Sequence, residues 1–181
     1  RDYTFDYEKQ PSRAMFKYKQ AFIRNDQERY MTFLNNVLQG KATLHADNVA
    51  PYELIRPYMT WNWNGPSLET MSKSEKDALN ASWASLLDFC SDEDMLAVVD
   101  TSGSMHSSYG LPAAVALSLG LYLAEHNKGR FRNHFIEFSE RPQLIRLKGE
   151  TFVDKLRYIL TFDEIADTNL EAVFQLILCV A

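Results

Sequence analysis

One short segment of the sequence combines residue types that can bind a metal ion. Asp100, Ser102 and Ser104 occupy alternate positions directly after an apolar run, residues 95–99. Mg²⁺ prefers oxygen ligands in near-octahedral geometry and keeps several waters, so a few such groups on one tight turn can hold it. Gly103 lets that turn close. Because serine ligands are neutral, the ion would keep most of its positive charge and could accept a carboxylate from a partner. The pattern predicts a site that binds a partner through a divalent cation.

The position of this segment supports a ligand-binding role. The run from Met95 to Val99 is apolar throughout and of strand length, which is typical of a central parallel strand covered on both faces. In open parallel sheets, ligands bind beyond the carboxyl ends of the strands, where loops are exposed but held by a rigid scaffold. We therefore expect the segment to lie at the ligand-binding edge of a sheet.

Three other interpretations of the same residues stay open. Asp and Ser are common in turns and helix caps, so Asp100, Ser102 and Ser104 could simply connect a strand to a helix. Ser104 with His106 and Asp100 suggests a hydrolase, although two-residue spacing on one loop rarely aligns nucleophile, base and acid. Asp100 could also accept a phosphoryl group, but Ser102 stands where a second acid for Mg²⁺ is usual. The sequence has no phosphate-binding P-loop motif.

The segment resembles the metal-ion-dependent adhesion site of von Willebrand factor A-type domains, whose loop reads Asp-x-Ser-x-Ser, and the resemblance covers residues 94–181. It implies that Ser102 and Ser104 coordinate Mg²⁺ or Mn²⁺ directly and that Asp100 acts mainly through water. It also implies a ligand from a second loop, where Thr168 occupies the corresponding place. The family uses a further aspartate after its fourth strand. The sequence stops before such a strand, so we expect about half a domain and weak metal binding.

The second half of the sequence alternates strands and helices. Residues 111–125 are apolar nearly all round, which predicts a buried helix and not a membrane anchor. Residues 134–139 and 143–147 predict two strands in a hairpin. The predicted fold class is therefore α/β, with a helical region over residues 1–89 followed by a doubly wound, Rossmann-like sheet over residues 90–181. The resemblance implies that this sheet is part of an A-type domain.

Two helix starts carry capping signals. Ser72 with Glu75 forms a capping box, and the apolar face that follows predicts a helix ending near Phe89. Thr168 with Glu171 forms the same pattern before the last apolar stretch. Thr168 therefore has a structural interpretation beside the metal-binding one.

The first half is predicted to be helical throughout. Apolar residues at helical spacing predict a hairpin of two helices, one over residues 12–23 and a second that stops at Gly40. Pro51 suits the first position of another helix. Trp61 and Trp63 lie in a loop rich in turn-forming residues, and we expect both indoles to pack back onto the helices.

The composition is that of a folded soluble protein. The 181 residues are 46% hydrophobic and 24% charged, which excludes disordered and collagen-like classes. Cys90 and Cys179 are the only cysteines, so neither a disulfide framework nor a cysteine-based zinc site can be built, and a reducing, cytoplasmic compartment is expected. The segment after Arg1 is polar where a secretory signal would be apolar, which suggests a piece of a longer protein.

A nucleic-acid interpretation depends on one local basic run. The formal net charge of −5 argues against a polycation, since binding to phosphates needs clustered Lys and Arg. The basic residues of the first helices are Arg13, Lys17, Lys19, Arg24 and Arg29. Their simpler interpretation is the solvated face of an amphipathic helix.

Two further resemblances complete the functional hypothesis. Residues 51–55 and 138–144 resemble recurring phrases of domain-of-unknown-function family 2828, which joins a helical N-terminal region to an A-type domain. More distantly, the chain resembles ribonucleoprotein proteins in which helical repeats precede an A-type domain. Together these resemblances imply a non-enzymatic, metal-dependent module that binds an acidic group of a protein partner. The alternative is an RNA-associated protein that binds RNA through its helical region.

Overall fold

A computed structural model describes residues 5–46, 48–59, 65–162 and 167–180. The chain folds into two compact units. Unit 1 contains Arg1–Ala50 and Ser67–Leu87, and unit 2 contains Pro51–Pro66 and Asp88–Ala181. This division differs from the predicted boundary after residue 89 in one internal segment, because residues 51–66 group with the second unit.

Unit 1 is helical. Its elements are α1 (Ser12–Asn25), α2 (Gln27–Leu38) and α4 (Lys73–Ala84). The predicted helical hairpin of α1 and α2 is confirmed, and Gly40 ends it with a left-handed φ of 69°. Aromatic rings from Tyr7, Phe22 and Tyr30 pack on one another with centroids 5.2–5.4 Å apart and form part of the core.

The predicted capping box of α4 is present. Ser72 Oγ accepts a hydrogen bond from Glu75 N at 3.3 Å, and Glu75 Oε2 accepts one from Ser72 N at 2.8 Å. The helix ends at Ala84, five residues before the predicted end near Phe89. The Ser85 hydroxyl donates to Ala81 O, and Leu86 N donates to Trp83 O, so the last turn tightens although apolar residues continue.

Unit 2 contains a three-stranded mixed sheet. Its elements in chain order are α3 (Pro51–Ile55), β1 (Ala97–Asp100), α5 (Ser107–His126), β2 (His134–Phe138), β3 (Gln143–Arg146), α6 (Phe152–Ile159) and α7 (Leu170–Val180). The strand order is β1-β2-β3, with β1 parallel to β2 and β2 antiparallel to β3. The predicted hairpin and the mixed α/β class, with a helical N-terminal region, are confirmed.

Helix α5 crosses from β1 to β2 and packs tightly on the sheet. A Cβ added at Gly120 would lie 2.3 Å from Val99 Cγ2, so the helix approaches β1 as closely as it does because glycine stands there. The regular right-handed part of α5 begins after Gly110, as predicted, because residues 108–110 have left-handed φ and ψ angles. By length and composition alone, Gly103–His126 also passes as a membrane span, but half of its apolar window is buried inside the protein.

Strand β1 differs from the prediction in one respect. Within the described ranges it is hydrogen-bonded to β2 alone, and Val98 is 43% exposed while Val99 is 2% exposed. The prediction that both faces of this strand are covered is therefore wrong for the described part of the chain. The face that carries Val99 packs on α5, and the described residues leave the other face open.

Helix α3 begins at Pro51 as predicted and contacts α5, so it belongs to the core of unit 2. A short 3₁₀ turn, Arg56–Tyr58, follows it. The predicted packing of Trp61 and Trp63 lies outside the described residues.

Candidate metal-binding site

The candidate loop, residues 100–104, begins where β1 ends. Asp100 is the last residue of the strand and pairs with Phe138 of β2. Its Oδ1 accepts a hydrogen bond from Ser102 N at 2.8 Å, which closes an Asx turn. The turn interpretation of Asp100 is therefore correct. The turn engages one of the two carboxylate oxygens.

The two serines of the loop face each other. Ser102 Oγ and Ser104 Oγ lie 3.2 Å apart and share a hydrogen bond in which either hydroxyl can donate, with Ser102 half-buried and Ser104 exposed. Two neighbouring ligands of an octahedral Mg²⁺ stand about 3.0 Å apart, because bonds of about 2.1 Å meet at right angles. The spacing of the two hydroxyls therefore fits one cation.

The serine hydroxyls are not used to start a helix. Ser102 holds the N-cap position of the 3₁₀ turn Gly103–His106, yet its side chain makes no capping hydrogen bond. The cap and turn interpretation therefore accounts for Asp100 but not for Ser102 and Ser104.

A second loop reaches the same edge of the sheet. Asn169 N donates to Ser139 O at 3.2 Å, and Ser139 directly follows Phe138, the partner of Asp100 in the sheet. Thr168, the neighbour of Asn169, is exposed. The ends of β1 and β2 thus bring the two predicted loops to adjacent places.

The predicted capping box of the last helix is wrong. Asn169 caps α7 instead, with its Oδ1 accepting from Ala172 N at 3.0 Å. The Glu171 carboxylate accepts from Gln175 rather than reaching back to Thr168. Asn is a stronger N-cap residue than Thr, so the helix starts one residue later than the pattern suggested.

Among the residues that the structure describes, no geometry matches the hydrolase interpretation. His106 Nδ1 lies 3.1 Å from Ser102 O, and because a carbonyl only accepts, Nδ1 donates there. In a Ser-His-Asp triad the carboxylate takes that place. The Ser104 hydroxyl contacts Ser102.

Two features of this loop escaped sequence reasoning. The Thr101 hydroxyl is buried and has no hydrogen-bond partner among the described residues. Ser108 and Tyr109 both adopt left-handed φ angles, 52° and 55°, and Tyr109 is 83% exposed. Gly110, which continues the left-handed run, was the single available signal for that segment.

Conventional metal clusters do not occur in the described part of the chain. No group of three His, Cys, Asp or Glu residues there is placed to hold an ion. A site built mainly from hydroxyls differs in its donor set, so it depends on the geometry of residues 100–104 and Thr168.

Comparison with known proteins gives two family matches. The profile of the domain of unknown function DUF2828 matches residues 3–96, and that of the domain of unknown function DUF7788 matches residues 94–181. The chain is 28% identical over 186 residues to an uncharacterized protein, L728, of Acanthamoeba polyphaga mimivirus. That alignment covers 96% of this chain but 31% of the viral protein. No solved structure matches the chain. Since the first match covers more than half of its residues, the chain belongs to the DUF2828 family.

Proposed function

We propose that this chain is a non-enzymatic, metal-dependent binding module resembling von Willebrand factor A-type domains. In it the loop after β1 holds Mg²⁺ or Mn²⁺ and captures an acidic group of a partner protein. We assign Asp100, Ser102, Ser104 and Thr168 to the ion, with Asp100 acting mainly through water. The Asx turn agrees with that role, because it already engages one oxygen of Asp100.

The Ser102–Ser104 pair is the observation that carries the proposal. The two hydroxyl oxygens lie 3.2 Å apart, near the separation of adjacent ligands on Mg²⁺. Neither hydroxyl is needed by a helix end, since the 3₁₀ turn after Ser102 has no side-chain cap. The hydrogen bond from Asn169 to Ser139 supports Thr168 as a third ligand, because it holds the second loop beside the first.

The charge of unit 2 favours a partner that binds through the ion. Unit 2 contains 15 Asp and Glu residues against 9 Lys and Arg residues, so its formal charge is −6. An acidic partner group would be repelled by this charge at long range. A cation held mainly by neutral hydroxyls keeps most of its positive charge and offsets the repulsion locally. Partner binding should therefore require the metal.

We also propose a cytoplasmic location. Both cysteines, Cys90 and Cys179, are free thiols in the structure, and Cys179 is exposed. Such thiols persist where glutathione and thioredoxin keep the compartment reduced.

Calorimetric titration of the 181-residue chain with MgCl₂ and with MnCl₂ tests the proposal. We expect a weak, saturable binding heat that EDTA abolishes. The double variant Ser102→Ala/Ser104→Ala should lose that heat, because it removes two of the proposed ligands. Ser107→Ala is the matched control, since Ser107 is an exposed serine three residues beyond the loop.

Thr168→Ala should weaken the metal heat less than the double variant does. An unchanged heat in the Ser102→Ala/Ser104→Ala variant would contradict the proposal. Equal losses in that variant and in Ser107→Ala would contradict it too, because the ion would then be bound without a defined site.

A further inference from the structure

Three cations of unit 2 have no acidic partner, although the unit as a whole is acidic. Its formal charge is −6. Several of its Lys and Arg residues form ion pairs with acids, namely Lys128, Arg130, Lys155 and Arg157. Arg132, Arg146 and Lys148 are exposed, and none of them forms an ion pair with a described residue. Their positive charge is therefore available to a ligand.

The register of the β2–β3 hairpin brings these cations together. Arg146 is the last residue of β3 and pairs with the first residue of β2. Leu147 N donates to Asn133 O at 2.8 Å, which extends the antiparallel register one residue beyond the strands. In the same register Arg132 then stands opposite Lys148. We call Arg132, Arg146 and Lys148 the basic end of the hairpin.

The basic end does not serve the stability of the hairpin. Like charges that stand opposite each other across two strands destabilise their pairing, and Arg132 and Lys148 are placed in this way. Charges on an edge strand do discourage aggregation, which accounts for Arg146 on β3. That role does not account for Arg132, because it precedes β2, which is the inner strand of the sheet.

The outer edge of β3 is open in the described part of the chain, because β3 is the last strand in the order β1-β2-β3. The bond from Leu147 to Asn133 marks a hydrogen-bonded pair. Such pairs alternate with pairs whose N–H and C=O groups point away from the partner strand. Leu144 and Arg146 therefore direct these groups to the outer edge, where the described residues supply no backbone partner.

An open strand edge beside unpaired cations fits an extended peptide that carries acids. A peptide that adds to a sheet edge gains affinity from main-chain hydrogen bonds and specificity from alternate side chains. We propose that an acidic peptide segment of a partner protein adds antiparallel to β3 as a further strand. Its carboxylates pair with the basic end of the hairpin.

The alternation of side chains along a strand defines the peptide sequence that fits. Leu144, Arg146 and Lys148 are two residues apart, so they share one face, and the peptide residues opposite them share it too. In an antiparallel peptide the sequence acid-x-acid-x-apolar places acids opposite Lys148 and Arg146 and an apolar residue opposite Leu144. Arg132 adds positive charge from the other side of the hairpin end.

Two other occupants fit this edge less well. Strand β3 contains no acidic residue, so a second copy that added its own β3 would bring more cations to the edge. A nucleic acid would neutralise the cations but would leave the outward N–H and C=O groups of the strand without partners. A peptide satisfies both the charge and the backbone.

This site lies apart from the candidate metal loop. Asp100 pairs with Phe138, the last residue of β2, whereas the basic end adjoins the first residue of β2. The two are separated by about 13 Å along the strand, since four residues rise about 3.3 Å each. Binding at β3 can therefore be measured in EDTA, without the metal.

Fluorescence anisotropy on the whole chain, in EDTA and about 50 mM KCl, tests the proposal with the labelled peptide Thr-Glu-Thr-Glu-Thr-Leu-Thr. We expect saturable binding that weakens as salt screens the exposed ion pairs. The variant Arg132→Gln/Arg146→Gln should weaken binding about fivefold, because two exposed ion pairs are lost. The control Lys128→Gln/Arg141→Gln removes the same charge from exposed positions outside the basic end and should bind normally.

Modified peptides test the strand addition separately from the charge. N-methylation of the second glutamate and of the leucine removes the two N–H groups that face Arg146 and Leu144, and should weaken binding at least about tenfold. N-methylation of the second and third threonines removes N–H groups that face away from β3 and should leave binding unchanged. Circular dichroism of each protein variant checks that the fold is intact.

Several results would overturn the proposal. These are no saturable binding at low salt, normal binding by Arg132→Gln/Arg146→Gln, equal losses in Lys128→Gln/Arg141→Gln, and equal binding of the two N-methylated peptides. Self-association of the original chain that the Arg132→Gln/Arg146→Gln variant alters, without peptide binding, would assign the edge to a second copy instead. Because EDTA is present throughout, these outcomes are independent of the metal site proposed for the loop after β1.

Discussion

The starts of α4 and α6 differ from the loop after β1, although each places a hydroxyl residue before a helical turn. Ser72 and Thr151 accept hydrogen bonds from the backbone N–H three residues on, at 3.3 Å in both cases. Ser102 occupies the same position before the 3₁₀ turn Gly103–His106 and makes no such bond. Its hydroxyl contacts Ser104 instead. The same residue type thus stabilises a helix in two places and remains available for a ligand in the third.

The third residue after each hydroxyl explains the difference. Glu75 and Asp154 complete capping boxes with Ser72 and Thr151, whereas Met105 follows Ser102 at the same spacing. A carboxylate at that position secures the N-cap backbone and holds the hydroxyl at the helix end. Without it, the Ser102 hydroxyl is not committed to the backbone.

Gly120→Ala should have the largest effect on the scaffold that holds the candidate loop. The new Cβ would lie 2.3 Å from Val99 Cγ2. We expect unfolding free energy to fall by about 1–3 kcal/mol, because β1 and α5 must separate. Urea denaturation measures this.

A double-mutant cycle provides the control for that variant. Val99→Ala removes the atom that the new methyl group meets, so Gly120→Ala/Val99→Ala should lose less stability than the two single variants add up to. Strict additivity would contradict the close approach of α5 to β1.

Removing the three hydroxyls one at a time tests whether Ser102 differs from the two capping residues in its contribution to stability. Ser72→Ala and Thr151→Ala should each cost about 1 kcal/mol of unfolding free energy, because each loses a helix cap. Ser102→Ala should cost less than about 0.5 kcal/mol, since it loses no cap. Thermal unfolding at one pH compares all three. A cost for Ser102→Ala equal to that for Ser72→Ala would mean that Ser102 serves the fold.

The capping carboxylates also predict a dependence on pH. Hydrogen bonds from Gln20 and Ser72 hold the pKa of Glu75 below its ordinary value of 4.5. The charged form is favoured in the folded state, so its stabilisation is complete above about pH 4.5 and is lost as pH falls through the folded pKa. We expect a few tenths of a kcal/mol, because the site is solvent-screened. Stability measured from about pH 6 down to about pH 3 should vary less in Glu75→Gln. An unchanged slope would contradict this role.

Thr101→Val is the variant in this series that should cause no loss of stability. The threonine hydroxyl is buried without a partner in the described structure, so its loss leaves no group newly unsatisfied. We expect stability equal to the original protein or higher by up to about 1 kcal/mol. A clear loss would show that this hydroxyl has a partner that matters for folding.

Periodicity and capping signals predicted most elements of the fold. The helices of unit 1, the hairpin of β2 and β3, and the start of α4 at Ser72 follow from local residue patterns. The exposure of Val98 could not be predicted in this way, because an apolar strand can have the same sequence whether one or both of its faces are covered.

The candidate site was predictable in part. The position of Asp100, Ser102 and Ser104 after a strand could be read from the sequence, because loops at strand ends follow from the apolar run. The shift of the α7 cap from Thr168 to Asn169 could not be predicted from the sequence. Both residues are capping types, and tertiary contacts decide between them. The buried Thr101 hydroxyl likewise depends on packing that no local pattern encodes.

Paramagnetic broadening by Mn²⁺ in the amide NMR spectrum tests most directly whether two loops share one ion. Substoichiometric Mn²⁺ should broaden the amide signals of Ser102 to Ser104 and of Thr168 and Asn169 together, and Mg²⁺ should reverse both. The signal of Thr151 should stay sharp, because this residue follows β3 at the opposite edge of the sheet and its hydroxyl caps α6. Broadening of the first loop without the second, or broadening centred on other acidic segments, would contradict a shared cation.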